Sequence, residues 1–483
     1  MARAYPQVRT LRTIDDLRRR IDELELGADI PVDDELDVDN SPLAQPLALG
    51  RSFGVDAANR FAVLPMEGWD GTNEGRPSEL TERRWRNFGT SGAKLIWGGE
   101  AVAVRQDGRA NPHQLLLTLE TQPAIAALRD ALVGAHRERF GANADGDLFV
   151  GLQLTHSGRF ARPVAYDRPE PLAATAVPIL DRRFPAGVRI LDDEDLDRIA
   201  DQFVAAARLA YHAGFAFVDI KHCHGYLGHE LLGSRTRAGR YGGTLENRTR
   251  FLCRVIDGIH ATVPGLKVAV RLSVFDTVPY RKTDNGSGVP ETDASGDFGF
   301  CVVRDDNLEH ALEESRAVLR LLEARGVWWI SVSAGSPYYN PHVQRPALFP
   351  PVDGYDPPED PLRGVARQIQ ATAHLKAAFP RLAFVGSAYS YLQEWLPHVA
   401  QHAVRAGLTD FVGLGRVALS YPDLPVDVLR GHPLRRASFC RTFSDCTTGP
   451  RVGLVSGCYP LDPFYAARPE AVTIRTIRTR GTL

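Results

Sequence analysis

The chain has 483 residues, 57 Lys and Arg against 59 Asp and Glu, and a formal net charge of −2. That balance excludes a strongly basic nucleic-acid binder, and the length allows one large domain with extensions or two to three ordinary ones. No apolar run nears the ~18 residues of a membrane span, and the six cysteines (Cys223, Cys253, Cys301, Cys440, Cys446, Cys458) read as reduced thiols of a cytoplasmic protein. The N-terminus has arginines but no apolar segment behind them, so no secretory leader is expected. Residues 1–50 read as an extension. Thr13 and Asp16 form a capping box, with Leu17, Ile21 and Leu24 at helical spacing behind them. The acidic stretch 29–39 reads as solvated linker.

From residue 51 the pattern alternates between strand and helix. Strand cores are expected at 61–65, 94–97, 148–154, 215–220, 267–272, 327–332, 382–385 and 410–414. Leu196, Ile199, Phe203, Ala207 and Ala210 form the clearest helical stripe, with acidic residues before it and Gly214 after it. Repeated units of this kind predict an α/β fold, a (β/α)8 TIM barrel over 51–430 with long loop insertions and a short tail, 431–483. The main alternative is a doubly wound open sheet, but no Gly-x-Gly-x-x-Gly stands between an early strand and a helix. Two insertions follow strands: 275–307, rich in Asp, Gly, Ser and Thr, and the proline-rich 337–361. Loops of this length are often lids. Tyr338, Tyr339 and Tyr355 either flank a substrate or pack their own loop.

The most informative stretch is 218–247. An apolar strand empties into Lys221, His222, His224 and Tyr226. Barrel active sites are built at such strand ends. In extended backbone His224 and Tyr226 project to one side, which gives a tunable donor and a phenolic acid in one place. A lone His-x-Tyr pair is more often a polar cap. Here Arg235, Arg237, Arg240, Tyr241-Gly242-Gly243 and Glu246-Asn247-Arg248 follow it. In order, these residues resemble the signature of the Old Yellow Enzyme family of FMN-dependent oxidoreductases. Lys221 stands where many members carry a first histidine.

Other strand ends are similar to the same family. Pro65-Met66 resembles its Pro-Met segment against the flavin, with Glu67 where Thr or Cys is common. Gly99, within Trp97-Gly98-Gly99-Glu100, resembles the segment whose backbone bonds the flavin carbonyl. Gln153 heads Gln-Leu-Thr-His-Ser-Gly-Arg, and an amide suits the donor and acceptor edge of an isoalloxazine. Arg271 matches an arginine facing the pyrimidine edge, where positive charge stabilises the reduced ring; taken alone, a structural salt bridge is the commoner role. Gly386-Ser387 and Gly415-Arg416 match the phosphate-binding turns after strands 7 and 8.

The resemblance implies FMN as cofactor, NAD(P)H as electron donor, and hydride passage through the flavin to a carbonyl-conjugated alkene. His224, with His222 or Lys221, would bond the substrate carbonyl, and Tyr226 would protonate the α-carbon. Larger relatives hold an iron–sulfur cluster on a Cys-x2-Cys-x3-Cys-x11-Cys pattern. Here Cys446-x11-Cys458 keeps the last spacing, Thr442 occupies the second position and Cys440 lies one residue off the first, so no cluster and no other metal site is expected. Lys221 leaves three further readings open: an amine or N-methyl oxidising dehydrogenase or demethylase, a Schiff-base lyase, and a flavin-binding protein without turnover. The expected partner is a small-molecule substrate, with no nucleic acid or membrane; homo-oligomerisation stays open.

Overall fold

The computed structural model describes residues 5–47, 57–291, 298–304 and 307–480. The expected boundary at residue 50 lies outside them, as does part of the 275–307 insertion. Eight parallel strands form the body: β1 Phe61–Val63, β2 Leu95–Ile96, β3 Phe149–Thr155, β4 Phe217–His222, β5 Lys267–Ser273, β6 Trp329–Ser333, β7 Ala383–Gly386 and β8 Phe411–Leu414. Each pairs with its sequence neighbours, β8 returns to β1, and β2 meets both β1 and β3. The sheet is therefore a closed (β/α)8 barrel, not an open doubly wound sheet. All eight strands fall where the apolar runs predict them.

The barrel is plugged from inside by aromatics. Trp97, Phe149, Phe217, Trp329 and Phe411 are buried together, and Trp97 packs against the rings of Phe217 and Trp329. Each buried Phe contributes about 1.5–3 kcal/mol relative to exposure. Most of these rings stand at the N-terminal ends of their strands, opposite the strand C-termini.

Helices cover the outside. Asp193–His212 carries the predicted stripe, starts at an Asp192 capping box and ends before Gly214, whose φ of +84° suits glycine. The N-terminal helix Ile14–Glu23 starts at Thr13, with Asp16 closing its box. The acidic stretch is not merely solvated linker. Asp33 pairs with His402 and Arg405, and Asp37 pairs with Arg405. These carboxylates dock the extension onto helix Leu396–Arg405 of its own barrel. The tail also returns: Arg83 pairs with Asp462 at 2.8 Å.

Candidate active site

A deep cavity opens at the C-terminal ends of the strands. Its lining includes Leu64, Pro65, Met66 and Glu67 after β1, Gln153 on β3, and Lys221, His224 and Tyr226 from β4 and its loop. Arg271 on β5, Ser387 after β7, and Gly415 and Arg416 after β8 complete the ring.

Strand alternation explains who enters. On β4, Asp219 and Lys221 share one face and His222 takes the other. His222 packs near Phe251 of the surrounding helix Leu245–Thr262, and burial holds its imidazole down to about 4. It stands apart from Lys221, His224 and Tyr226. His224 and Tyr226 do reach the cavity together, but not through extended backbone. His224 takes φ +67°, and its amide donates to Ser273 Oγ at 3.1 Å. A tight turn, not a strand, delivers the pair.

Four side chains form one network. Lys221 is ion-paired to Glu67, and Tyr226 donates to the other Glu67 oxygen at 2.7 Å. The Tyr226 and Tyr338 hydroxyls are 2.9 Å apart. The Lys221 ammonium also lies 3.9 Å from the Tyr226 ring centroid. Burial, then the Glu67 charge, pushes the Tyr226 phenol well above its ordinary range. His224 Nε2 lies 2.8 Å from Ser333 Oγ. Burial, then the charges of Arg271 and Lys221, holds its imidazole well below 6.5, so it is neutral. Cationic charge beside the phenol therefore comes from Lys221.

Glu67 is aimed by its neighbour. A Cβ on Gly68 would overlap the Arg84 guanidinium. That guanidinium is buried and held by Asp70 and by Glu100, the latter at 2.5 Å. Gly68→Ala is expected to cost about 1–3 kcal/mol through overpacking and to displace Glu67. Thermal denaturation of the two proteins checks this.

Asp219, which the sequence motifs did not single out, organises the floor. It is fully buried and accepts from Trp97 Nε1 at 2.8 Å, Gln153 Nε2 at 2.5 Å and the Arg271 amide at 2.6 Å. One N–H of the Gln153 amide is thereby committed, and its second N–H and carbonyl oxygen remain a donor and an acceptor. Burial raises the Asp219 carboxyl from 3.8 to about 6. A folded-state value above the unfolded one means that the native protein binds the proton more tightly, so stability falls as pH rises from about 4 to about 6. Relative to Asp219→Asn, the flavin-free protein should lose about 3 kcal/mol across that window. Urea titrations of both proteins at several pH values measure the difference.

The donors and charges fit a flavin. Arg271 is 6% exposed, its Nε is buried without a hydrogen-bond partner, and no carboxylate pairs with its guanidinium among the described residues. A buried cation of this kind costs free energy unless an electron-rich group meets it. The alternative of a structural salt bridge is thus not what the side chain makes. Arg416 likewise lines the cavity without a carboxylate partner among the described residues. The helices after β7 and β8 are short, the 3-10 helix Tyr389–Trp395 and Val417–Ser420, so attraction for a phosphate rests on Arg416 rather than on a long helix dipole.

Two further residues serve indirectly. Gly99 does not line the cavity; its carbonyl accepts from the Met66 amide at 3.2 Å and fixes the Pro-Met segment from behind. Gly386 is tied through its amide to Thr409 Oγ1 at 3.2 Å. The Ser387 hydroxyl is spent on Val332 O at 2.6 Å. The arginines that follow Tyr226 are scaffold: Arg237 pairs with Asp193, Arg240 with Asp197, and Arg235 and Arg248 with Glu314. In the proline-rich loop, Tyr338 joins the site, Tyr339 donates to buried Asp276 at 2.7 Å, and the Tyr355 hydroxyl meets His342 Nδ1 at 2.7 Å. Cys440, Thr442, Cys446 and Cys458 line the same cavity.

The fold is a closed (β/α)8 barrel whose pocket at the strand C-termini carries Lys221, Arg271 and Arg416. The sequence profile of the NADH:flavin oxidoreductase / NADH oxidase family matches residues 43–294, just over half of the chain. The chain belongs to that family. It is 31% identical over 245 residues to the putative 12-oxophytodienoate reductase 4 of rice, Oryza sativa subsp. japonica, covering 48% of this chain and 59% of the rice protein. It is 30% identical over 260 residues to an NADPH dehydrogenase of Geobacillus sp. (strain WCH70), covering 50% of this chain and 70% of that protein. The match thus spans less than two thirds of the rice relative. Among solved structures, the old yellow enzyme homologue of Zymomonas mobilis superposes with a TM-score of 0.55 at 21% identity over 81% of this chain and 94% of that one, a likeness of fold. No helix among the described residues is long and apolar enough to cross a membrane.

Proposed function

We propose that this chain is an FMN-dependent NAD(P)H oxidoreductase that reduces an alkene conjugated to a carbonyl. The single observation that carries the reading is the meeting of Lys221, His224 and Tyr226 with Met66, Gln153 and Arg271 around one pocket. A bound flavin supplies the two-electron chemistry between nicotinamide and alkene. Pro65, Met66, Gln153 and Arg271 would hold its ring system, and Arg416, with the backbone of Ser387 and Gly415, would hold its phosphate.

The protein's own residues then act on the substrate. His224, neutral, donates a hydrogen bond to the carbonyl oxygen. Lys221 adds the positive charge that a developing enolate oxygen needs, since preorganised charge is commonly the largest catalytic contribution. Tyr226 keeps its proton through the whole working range and delivers it from Oη to the α-carbon. Tyr338 then holds the phenolate oxygen by its hydroxyl. Assays of cyclohexenone reduction against N-methylamine oxidation test the reading; turnover of enones is expected, and turnover of amines alone would overturn it.

Amine oxidation is the second reading, and the Glu67 network favours it. A carboxylate beside the stacked rings of Tyr226 and Tyr338, whose centroids are 5.9 Å apart, already holds one ammonium, that of Lys221. A cationic amine fits the same surroundings.

We also propose that the tail carries no iron–sulfur cluster. Of the four positions in that ligand pattern only Cys446 and Cys458 carry thiols; Phe439 and Thr442 hold the other two, with Cys440 one residue off. Iron analysis of anaerobically purified protein should give well under one iron per chain; a stoichiometric cluster would contradict this.

A further inference from the structure

A second concavity adjoins the main cavity. It is an open groove of about 440 Å³. Pro337, Tyr338 and Arg451 line both, so the two are continuous. The groove is strongly cationic although the chain as a whole is not. Arg182, Arg183, Arg281, Lys282 and Arg451 line it, against Glu291 and Asp353.

Two cations of the groove, Arg281 and Lys282, stand outside its carboxylate pairs among the described residues. Glu291 is shared by Arg182 and Arg183, and Asp353 is taken by Arg451. Arg281 and Lys282 are exposed on the strand Tyr280–Lys282 of a short hairpin, and neither pairs with a carboxylate among the described residues. Three separate parts of the chain supply these cations: the segment after helix Pro178–Asp181, the hairpin, and the tail. The frame is tied to the reaction side. Arg183 donates to Tyr338 O at 3.0 Å and Arg451 to Pro337 O at 3.2 Å, and the Tyr338 hydroxyl meets Tyr226. Guanidinium forks at such a rim match phosphate oxygens, and a groove with surplus positive charge leading to a site concentrates anionic ligands.

We propose that this groove binds the phosphate-bearing tail of a nucleotide ligand whose reactive end enters the main cavity. The tail belongs either to the nicotinamide electron donor or to a substrate carried as a nucleotide thioester. The inference deepens the proposed oxidoreductase function and rests on it for the identity of the reactive end, but the groove's affinity for phosphate can be read without turnover.

The test uses the full chain and Arg281→Glu/Lys282→Glu. Both side chains are exposed, so folding should be preserved, and Arg281→Gln/Lys282→Gln provides a milder second variant. Calorimetry at low salt measures binding of 2′,5′-ADP and, separately, of coenzyme A. At least one probe should bind the natural chain, weaken about tenfold in the Glu variant and less in the Gln variant, and lose that difference in high salt. Response to 2′,5′-ADP alone assigns the groove to the electron donor; response to coenzyme A alone assigns it to a thioester substrate. Binding of neither probe, or equal binding by all three proteins, overturns the proposal. A protein that binds a probe through these residues yet reduces no enone retains the groove assignment and loses only the alkene reading.

Discussion

Tyr226→Phe should slow enone turnover by about 10²–10⁴-fold, the usual contribution of a positioned proton donor, while leaving NADPH bleaching of the flavin band unchanged. The separation follows from the site. The phenol is buried, kept protonated by burial and by Glu67, and linked to Tyr338. Its loss removes one proton from the alkene step and nothing from the contacts of Gln153 or Arg271. Tyr338→Phe removes only the partner of that hydroxyl and should cost much less. Stopped-flow absorbance resolves the two half-reactions. Equal slowing of both by Tyr226→Phe would mean that the phenol positions the pocket rather than protonating substrate.

Lys221→Met should be the most destabilising of the single changes at the site. The Lys221 side chain is 3% exposed and that of Glu67 is 17% exposed. Removing the ammonium leaves a largely buried carboxylate without its cation, which costs about 3–5 kcal/mol when such a pair is broken. Glu67→Gln/Lys221→Met removes both charges and should recover most of that loss, because Gln still accepts from Tyr226. Activity should separate from stability: the double variant folds but lacks the charge that the enolate oxygen needs. Urea denaturation and enone assays on both proteins check this. A stable but inactive single variant would show that the pair contributes little to folding.

Much of the architecture was legible because apolar runs report buried parallel strands directly. All eight strands lie close to their expected positions, and the capped helices begin at Thr13 and Asp192 as their sequences indicate. The site was legible in its residue types and less so in its geometry. His222 is adjacent to Lys221 in sequence, but alternation along β4 puts it outside the barrel. The left-handed turn at His224 carries no sequence signal, since histidine does not announce a positive φ as glycine does. Asp219 was missed because one acid within an apolar strand reads as an exception to burial, whereas donors from β3, β5 and the residue after β2 converge on it. The Glu67–Lys221 pair joins residues 154 positions apart, and only closure of the barrel brings them together. The acidic stretch at 29–39 reads as linker because its arginine and histidine partners lie near residue 400.

The central claim is that the pocket at the strand C-termini holds a flavin that takes electrons from nicotinamide and passes them to an activated alkene. The most direct measurement is the absorbance spectrum of the purified protein, recorded anaerobically before and after NADPH or NADH and again after an enone. The account predicts oxidised-flavin bands that bleach with nicotinamide and return with the enone. A colourless protein that FMN cannot reconstitute would contradict it.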